Sequence, residues 1–128
     1  MADHGLKVIR PADRKLDVAS GAMVREAAIS KALTGAEKIW VGYVELPPGM
    51  KSAPHHHGEC ESVIFVISGE AQFLTGTDSQ TMQVARTGDF VWVPPHFVHI
   101  EANASQAEPV RMVVARSTQE TLVFNLPS

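Results

Sequence analysis

The chain has 128 residues and a formal net charge of −3, with 45% hydrophobic and 20% charged residues. That balance suits one globular domain with a single substantial core. Its Lys and Arg are dispersed, which argues against nucleic acid or an anionic membrane as partner. Its one cysteine, Cys60, excludes an internal disulfide, and the polar start MADHGLKVIRPADRK, with no apolar run of membrane-spanning length, predicts a soluble cytoplasmic protein.

Residues 1–36 read as an N-terminal arm and edge segments. Charges and Pro11 surround a short apolar patch from Leu6 to Ile9, and His4 has no evident role. The stretch VREAAISKAL is open to two readings, a helical turn or two, or a loop punctuated by Gly21, Thr34 and Gly35. Residues 37–128 read as a single domain of strands. IWVGYVEL stops at Pro47-Pro48-Gly49, HHHGECESVIFVIS runs to Gly69, and EAQFLTG meets a polar turn at Thr77-Asp78-Ser79. TMQVART closes at Gly88-Asp89, FVWV at Pro94-Pro95, HIEAN opens a loop through Pro109, and VRMVVARS and TLVFNL finish the chain. Short apolar segments separated by Gly, Pro, Asn and Asp turns predict an all-β sandwich or small barrel. VIFVI and VRMVVA alternate weakly, which predicts strands covered on both faces.

Five of the six histidines fall in two stretches, His55-His56-His57 and His96 with His99. On an extended backbone His55, His57 and Glu61 share one parity and project from one face. Imidazole nitrogens converging with a carboxylate make a site for a borderline-to-hard divalent ion. Glu59 has the same parity, two residues past His57, and ranks second as the carboxylate. His56 and Cys60 have the opposite parity, so a surface or supporting role is expected for the one and a buried, inert thiol for the other. The aromatic residues Phe65, Phe73, Phe90, Trp92 and Phe97, with Met112, are assigned mostly to the core. Arg25, Arg86, Arg111 and Arg116 are read as solvated surface charges, any one of which is suited to clamp a substrate carboxylate.

Together the two stretches resemble the motifs of the cupin superfamily. Gly49 is followed by five residues, then His55-His56-His57, three residues and Glu61. Gly88, Pro94, His99 and Asn103 follow the second motif's intervals. Two departures stand out: seven residues rather than six separate Glu61 from Gly69, which calls for a bulge or longer turn, and His96 replaces a glycine. Histidine visits the left-handed region more readily than bulky residues do. The resemblance implies a double-stranded β-helix, or jelly-roll barrel, that forms a homodimer. It also implies one divalent transition metal (Fe, Mn, Ni, Co or Zn) held by His55, His57, Glu61 and His99. Gly49, Gly69 and Gly88 would make turns, and Asn103 would tie down a loop.

An imidazole-rich site with no thiolate differs from closed structural zinc sites and leaves positions open for a substrate. The expected function is a metal-dependent enzyme acting on a small organic molecule, first an Fe(II)-type dioxygenase. The alternative is a redox-neutral isomerase, lyase or decarboxylase on a sugar or keto acid, with His96 or Glu59 moving the proton. A non-catalytic small-molecule-binding module is the third reading.

Overall fold

The computed structural model describes residues 5–76, 80–119 and 123–127. His4 and the Thr77-Asp78-Ser79 turn lie outside them. Among the described residues, eleven strands form antiparallel sheets with almost no helix: β1 (Lys15–Leu16), β2 (Val24–Ile29), β3 (Trp40–Leu46), β4 (His55–His56), β5 (Ser62–Ser68), β6 (Glu70–Thr75), β7 (Thr81–Arg86), β8 (Phe90–Val93), β9 (Ile100–Asn103), β10 (Val110–Arg116) and β11 (Phe124–Asn125). A six-stranded sheet runs β1-β2-β3-β10-β5-β8, a three-stranded one β7-β6-β9, and a pair β11-β4. This is the all-β jelly-roll arrangement expected. No helix among the described residues is long and apolar enough to cross a membrane.

The stretch left open between helix and loop divides in two. VREAAI is strand β2, paired with both β1 and β3, and only Lys31–Thr34 forms a single helical turn. Ser30 caps that turn by accepting from Leu33 N, and Gly35 closes it at φ 81°. Helix propensity yields here to pairing that turns Arg25 and Ala27 inward.

Strand β3 alternates strictly in burial, and its inward residues Trp40, Val44 and Leu46 meet Met112, Val114, Ile64 and Val66 from β10 and β5 in the core. VIFVI and VRMVVA are not covered on both faces: β5 and β10 alternate too, and Val63 and Ile67 face outward and are exposed. β-branched side chains suit a pleated strand on either face, so their composition does not report which face is buried. Phe73 and Met112 are core, whereas Phe90, Trp92 and Phe97 are exposed.

The extra residue after Glu61 is absorbed at the far end of β5. Arg111 pairs with Ser68 and Met112 with Val66, so Ile67 is bulged out of the ladder just before Gly69. Asn103 ties the neighbouring loop down, its amide donating to the carbonyls of Leu46, Pro47 and Glu108 and its Oδ1 accepting from Ser105 N. Gly49, Gly69 and Gly88 all take positive φ at turns.

The four arginines divide. Arg86 and Arg111 are surface charges, paired with Glu70 at 2.8 Å and with Glu45 at 3.4 Å. Arg25 and Arg116 lie inside the molecule, where their parity on β2 and β10 points them with the core residues.

Candidate metal centre

His55 and His99 face each other across an isolated antiparallel bridge, each backbone N–H donating to the other's carbonyl at 3.0 and 2.9 Å. That pairing brings the second histidine stretch to the first. His57, two residues past His55, projects to the same side, and the three rings lie 4.3–5.4 Å apart between centroids. One ligand nitrogen from each falls within 4.8 Å of the others, and all three residues are buried. Among the described residues this is the one such cluster of metal-ligating side chains.

The tautomers follow from the hydrogen bonds. His55 Nδ1 lies 2.9 Å from the Ala53 carbonyl and His99 Nδ1 lies 2.8 Å from that of Phe97. A carbonyl only accepts, so each Nδ1 carries the proton and each Nε2 presents a lone pair. Nε2 of both His55 and His99 is buried with no hydrogen-bond partner among the described residues. Burial holds the His55 imidazole below its ordinary pKa, opposed by the charge of Glu101. A neutral imidazole is the form that ligates. Orphaned lone pairs backed by carbonyls fit a divalent transition ion of borderline softness.

The structure does not bring Glu61 to this cluster. Its side chain is on the outer surface, accepting from Trp92 Nε1 at 2.9 Å. The cause is local: Gly58, at φ 63°, makes a turn at Gly58-Glu59 that breaks the extended backbone on which the common parity rested. Past that turn the even residues Cys60, Ser62 and Ile64 face inward and the odd ones outward. Glu59 is exposed at the turn itself. His96 is exposed as well, with φ 58°, its N–H donating to the Gly58 carbonyl at 2.7 Å. His96 therefore does fill the turn position of the glycine it replaces, and its ring neighbours that of His56 on the outside at 5.9 Å. His56 points away from the trio and stacks on Phe124. Cys60 is buried, and burial pushes its thiol pKa up, the state of an inert thiol.

The carboxylate beside the trio is Glu101, which the sequence reading missed. It is buried, its Oε2 lies 3.7 Å from His55 Nε2, and that oxygen has no hydrogen-bond partner among the described residues. Ser52 fixes its backbone, donating N–H to Glu101 O at 2.8 Å and accepting from Glu101 N on Oγ at 3.0 Å. A signal was present, since His99 and Glu101 share parity as His55 and His57 do.

His99 also lines a cavity of about 440 Å³, whose walls include Phe73, Val91, Val93, Pro94 and Phe97. The centre thus borders a space of small-molecule size whose walls also include Thr75, Gln83 and Asp89.

The fold is thus a jelly-roll barrel with an inward histidine trio beside such a cavity. The chain belongs to the cupin domain family, which residues 42–116 match. No curated protein matches it. Among solved structures, the polyketide cyclase RemF from Streptomyces resistomycificus is similar at 19% identity and TM-score 0.79, over 97% of this chain and 87% of that one. A predicted oxalate decarboxylase from Thermotoga maritima is similar at 16% identity and TM-score 0.70, over 88% and 99% of the two chains. An oxalate oxidase in complex with glycolate is similar at 22% identity and TM-score 0.70, over 83% of this chain and 56% of that one. Identities this low establish the shared fold.

Proposed function

We propose that this protein is a metal-dependent enzyme acting on a small organic substrate. His55, His57 and His99 would hold one divalent transition ion (Fe, Mn, Ni, Co or Zn), with Glu101, in place of Glu61, as the adjoining carboxylate. The observation that carries the reading is the pair of buried, unpartnered Nε2 lone pairs converging beside a cavity that His99 itself lines. When bound, such an ion supplies Lewis acidity and, as Fe(II), access to O₂ chemistry. The protein's own residues do the rest. The apolar part of the wall, Phe73, Val91, Val93 and Phe97, offers contact to an apolar substrate body. Held by three imidazoles and a carboxylate, the ion would keep positions for a substrate and for O₂, as a dioxygenase requires.

Glu101 favours a second reading. A buried carboxylate with an unpartnered oxygen next to His55 has the chemistry of a general base for a C–H or O–H beside a substrate carbonyl. That role serves a redox-neutral isomerase, lyase or decarboxylase. His96 and Glu59, both exposed, are the outer candidates for proton exchange with solvent. The neighbours are named as a polyketide cyclase, an oxalate oxidase and a predicted oxalate decarboxylase, names that include both redox and redox-neutral chemistry. We also infer a homodimer. The outer face of β5 and β8, where Val63 pairs with Trp92 and Phe65 with Phe90, supports it as an apolar surface.

The test uses untagged protein, analysed for metal content and then loaded anaerobically with Fe(II). β-Diketones, 2-keto acids, catechols and uronates are screened by thermal shift, and each hit is followed by O₂ electrode and NMR of the small molecule. O₂ uptake in step with product supports the dioxygenase. Anaerobic turnover at the aerobic rate eliminates it for that substrate. Hits left unchanged under both atmospheres would leave a binding module.

A further inference from the structure

We propose that Arg25 and Arg116 form an anion site inside the barrel that holds the carboxylate of a small, apolar-bodied organic acid beside the histidine centre. The inference deepens the reading above and rests on it for the chemistry next door. Both arginines are only 2% exposed. Nε and Nη1 of Arg25, and all three guanidinium nitrogens of Arg116, are buried without a hydrogen-bond partner among the described residues. Guanidinium stays charged in proteins, and a buried charge is stable only when paired and hydrogen-bonded. Here the two cations flank one ring: Cζ of Arg116 lies 3.9 Å and Cζ of Arg25 5.7 Å from the centre of Trp40. The indole face attracts both but offers no acceptor to their N–H groups.

Register sets Arg116 in one row with a residue of the cavity wall. Arg116 pairs with Trp40 on β3 and with Ser62 on β5, and Ser62 pairs with Val93 on β8. All four point inward as one row, and Val93 is in the wall of the cavity that His99 lines. Arg116 is thus two strands, roughly 10 Å of sheet, from that wall, with its guanidinium turned to Trp40 on β3. Cys60, two residues before Ser62, donates Sγ–H to the His57 carbonyl at 3.1 Å, which fixes the same strand to the metal centre.

Charge selects the ligand. Asp17 and Glu101 act favourably on Arg25, and Asp17 on Arg116, while burial and the charge of Arg25 push Arg116 down to about 10. Arg116 therefore remains a cation at neutral pH, and the carboxylates nearby repel a dianion more than a monoanion. A planar carboxylate matches the fork of N–H donors, and the apolar cavity wall takes an apolar body. Benzoate has both properties.

The test is isothermal titration of the full chain with benzoate, acetate and inorganic phosphate, once after chelator treatment and once metal-loaded. Benzoate should bind one per chain in both forms, with phosphate at least tenfold weaker. Arg25→Gln and Arg116→Gln should each weaken benzoate at least tenfold, and Arg86→Gln should leave it unchanged. If Arg116→Gln does not fold by circular dichroism, Arg116→Lys, which keeps the charge and loses the fork, should still weaken it severalfold. In a Trp92→Phe background Trp40 is the sole tryptophan of the chain's two, so saturating benzoate should shift its emission. Failure of benzoate to saturate, folded arginine variants that bind like the parent, equal affinity for phosphate, or a silent Trp40 at saturation would each overturn the site. Metal content measured on the same samples keeps the two readings apart. Loss of metal binding with benzoate binding intact would sink the metal centre alone.

Discussion

Replacing Glu101 by Gln leaves the shape of the site and removes a charge that lies 3.7 Å from His55 Nε2. Metal affinity should fall about 10–100-fold, as it does when a supporting partner of a ligand is lost, whereas Glu61→Gln should leave it within error. Equilibrium dialysis of both variants checks this, and the reverse order would restore Glu61 as the ligand. His99→Ala should abolish stoichiometric metal binding and His56→Ala should not, because the His99 ring joins the trio whereas that of His56 stacks on Phe124. Acidity tests His55. Its pKa is lowered by burial, so below about 6.5, the ordinary value, the unfolded chain takes up a proton that the native chain refuses. Unfolding then becomes easier as pH falls, and the loss levels off below the depressed native value. Urea midpoints of chelator-treated protein at descending pH should drop through this window, and His55→Asn should flatten the drop.

The second histidine stretch reaches the centre only because the loops around it are held. Asn103 satisfies three backbone carbonyls from two separate loops with one amide. Asn103→Ala leaves them without that donor and should cost about 3 kcal/mol by urea denaturation, given about 1–3 kcal/mol for each unsatisfied buried group. His96 carries the opposite signature, a left-handed conformation at φ 58° on a residue with a Cβ. His96→Gly should be neutral or stabilising by up to about 1 kcal/mol without changing metal content. On β3, a Cβ at Gly42 would sit 2.3 Å from Trp40 Cη2 and 2.7 Å from the Glu26 carbonyl oxygen. Gly42→Ala should displace the Trp40 ring, cost about 1–3 kcal/mol as overpacking does, and change the emission of Trp40.

At the scale of the whole molecule, a ligand that binds only the folded chain stabilises it by mass action. Free metal at 100 times its dissociation constant should add about 2.7 kcal/mol, so a chelator should lower Tm while far-ultraviolet circular dichroism of the strands persists. A Tm indifferent to both metal and chelator would argue against the centre. The inferred dimer makes a separate demand. Phe90 is exposed on the outer sheet face and contacts Phe65, so Phe90→Lys should halve the mass measured by light scattering at micromolar concentration. An unchanged mass would exclude that face as the interface.

Much of the architecture was legible because its signals are local. Short apolar runs between Gly, Pro and Asn turns are a property of neighbouring residues, and they specified an all-β barrel. The two histidine stretches at their motif spacings specified His55, His57 and His99, because turns with required left-handed residues hold those intervals, and His96 keeps its turn position even without glycine. Parity failed where one turn residue intervened: Gly58 changes which face follows it, and so Glu61 points to solvent. Glu101 lay beyond local reasoning because its neighbour His55 is distant in sequence and meets it only through the bridge that closes His55 on His99. The buried arginines were hidden for the same reason. A guanidinium in sequence reads as surface, and only the closing of β2, β3 and β10 around Trp40 puts two of them inside, where charge must find a partner.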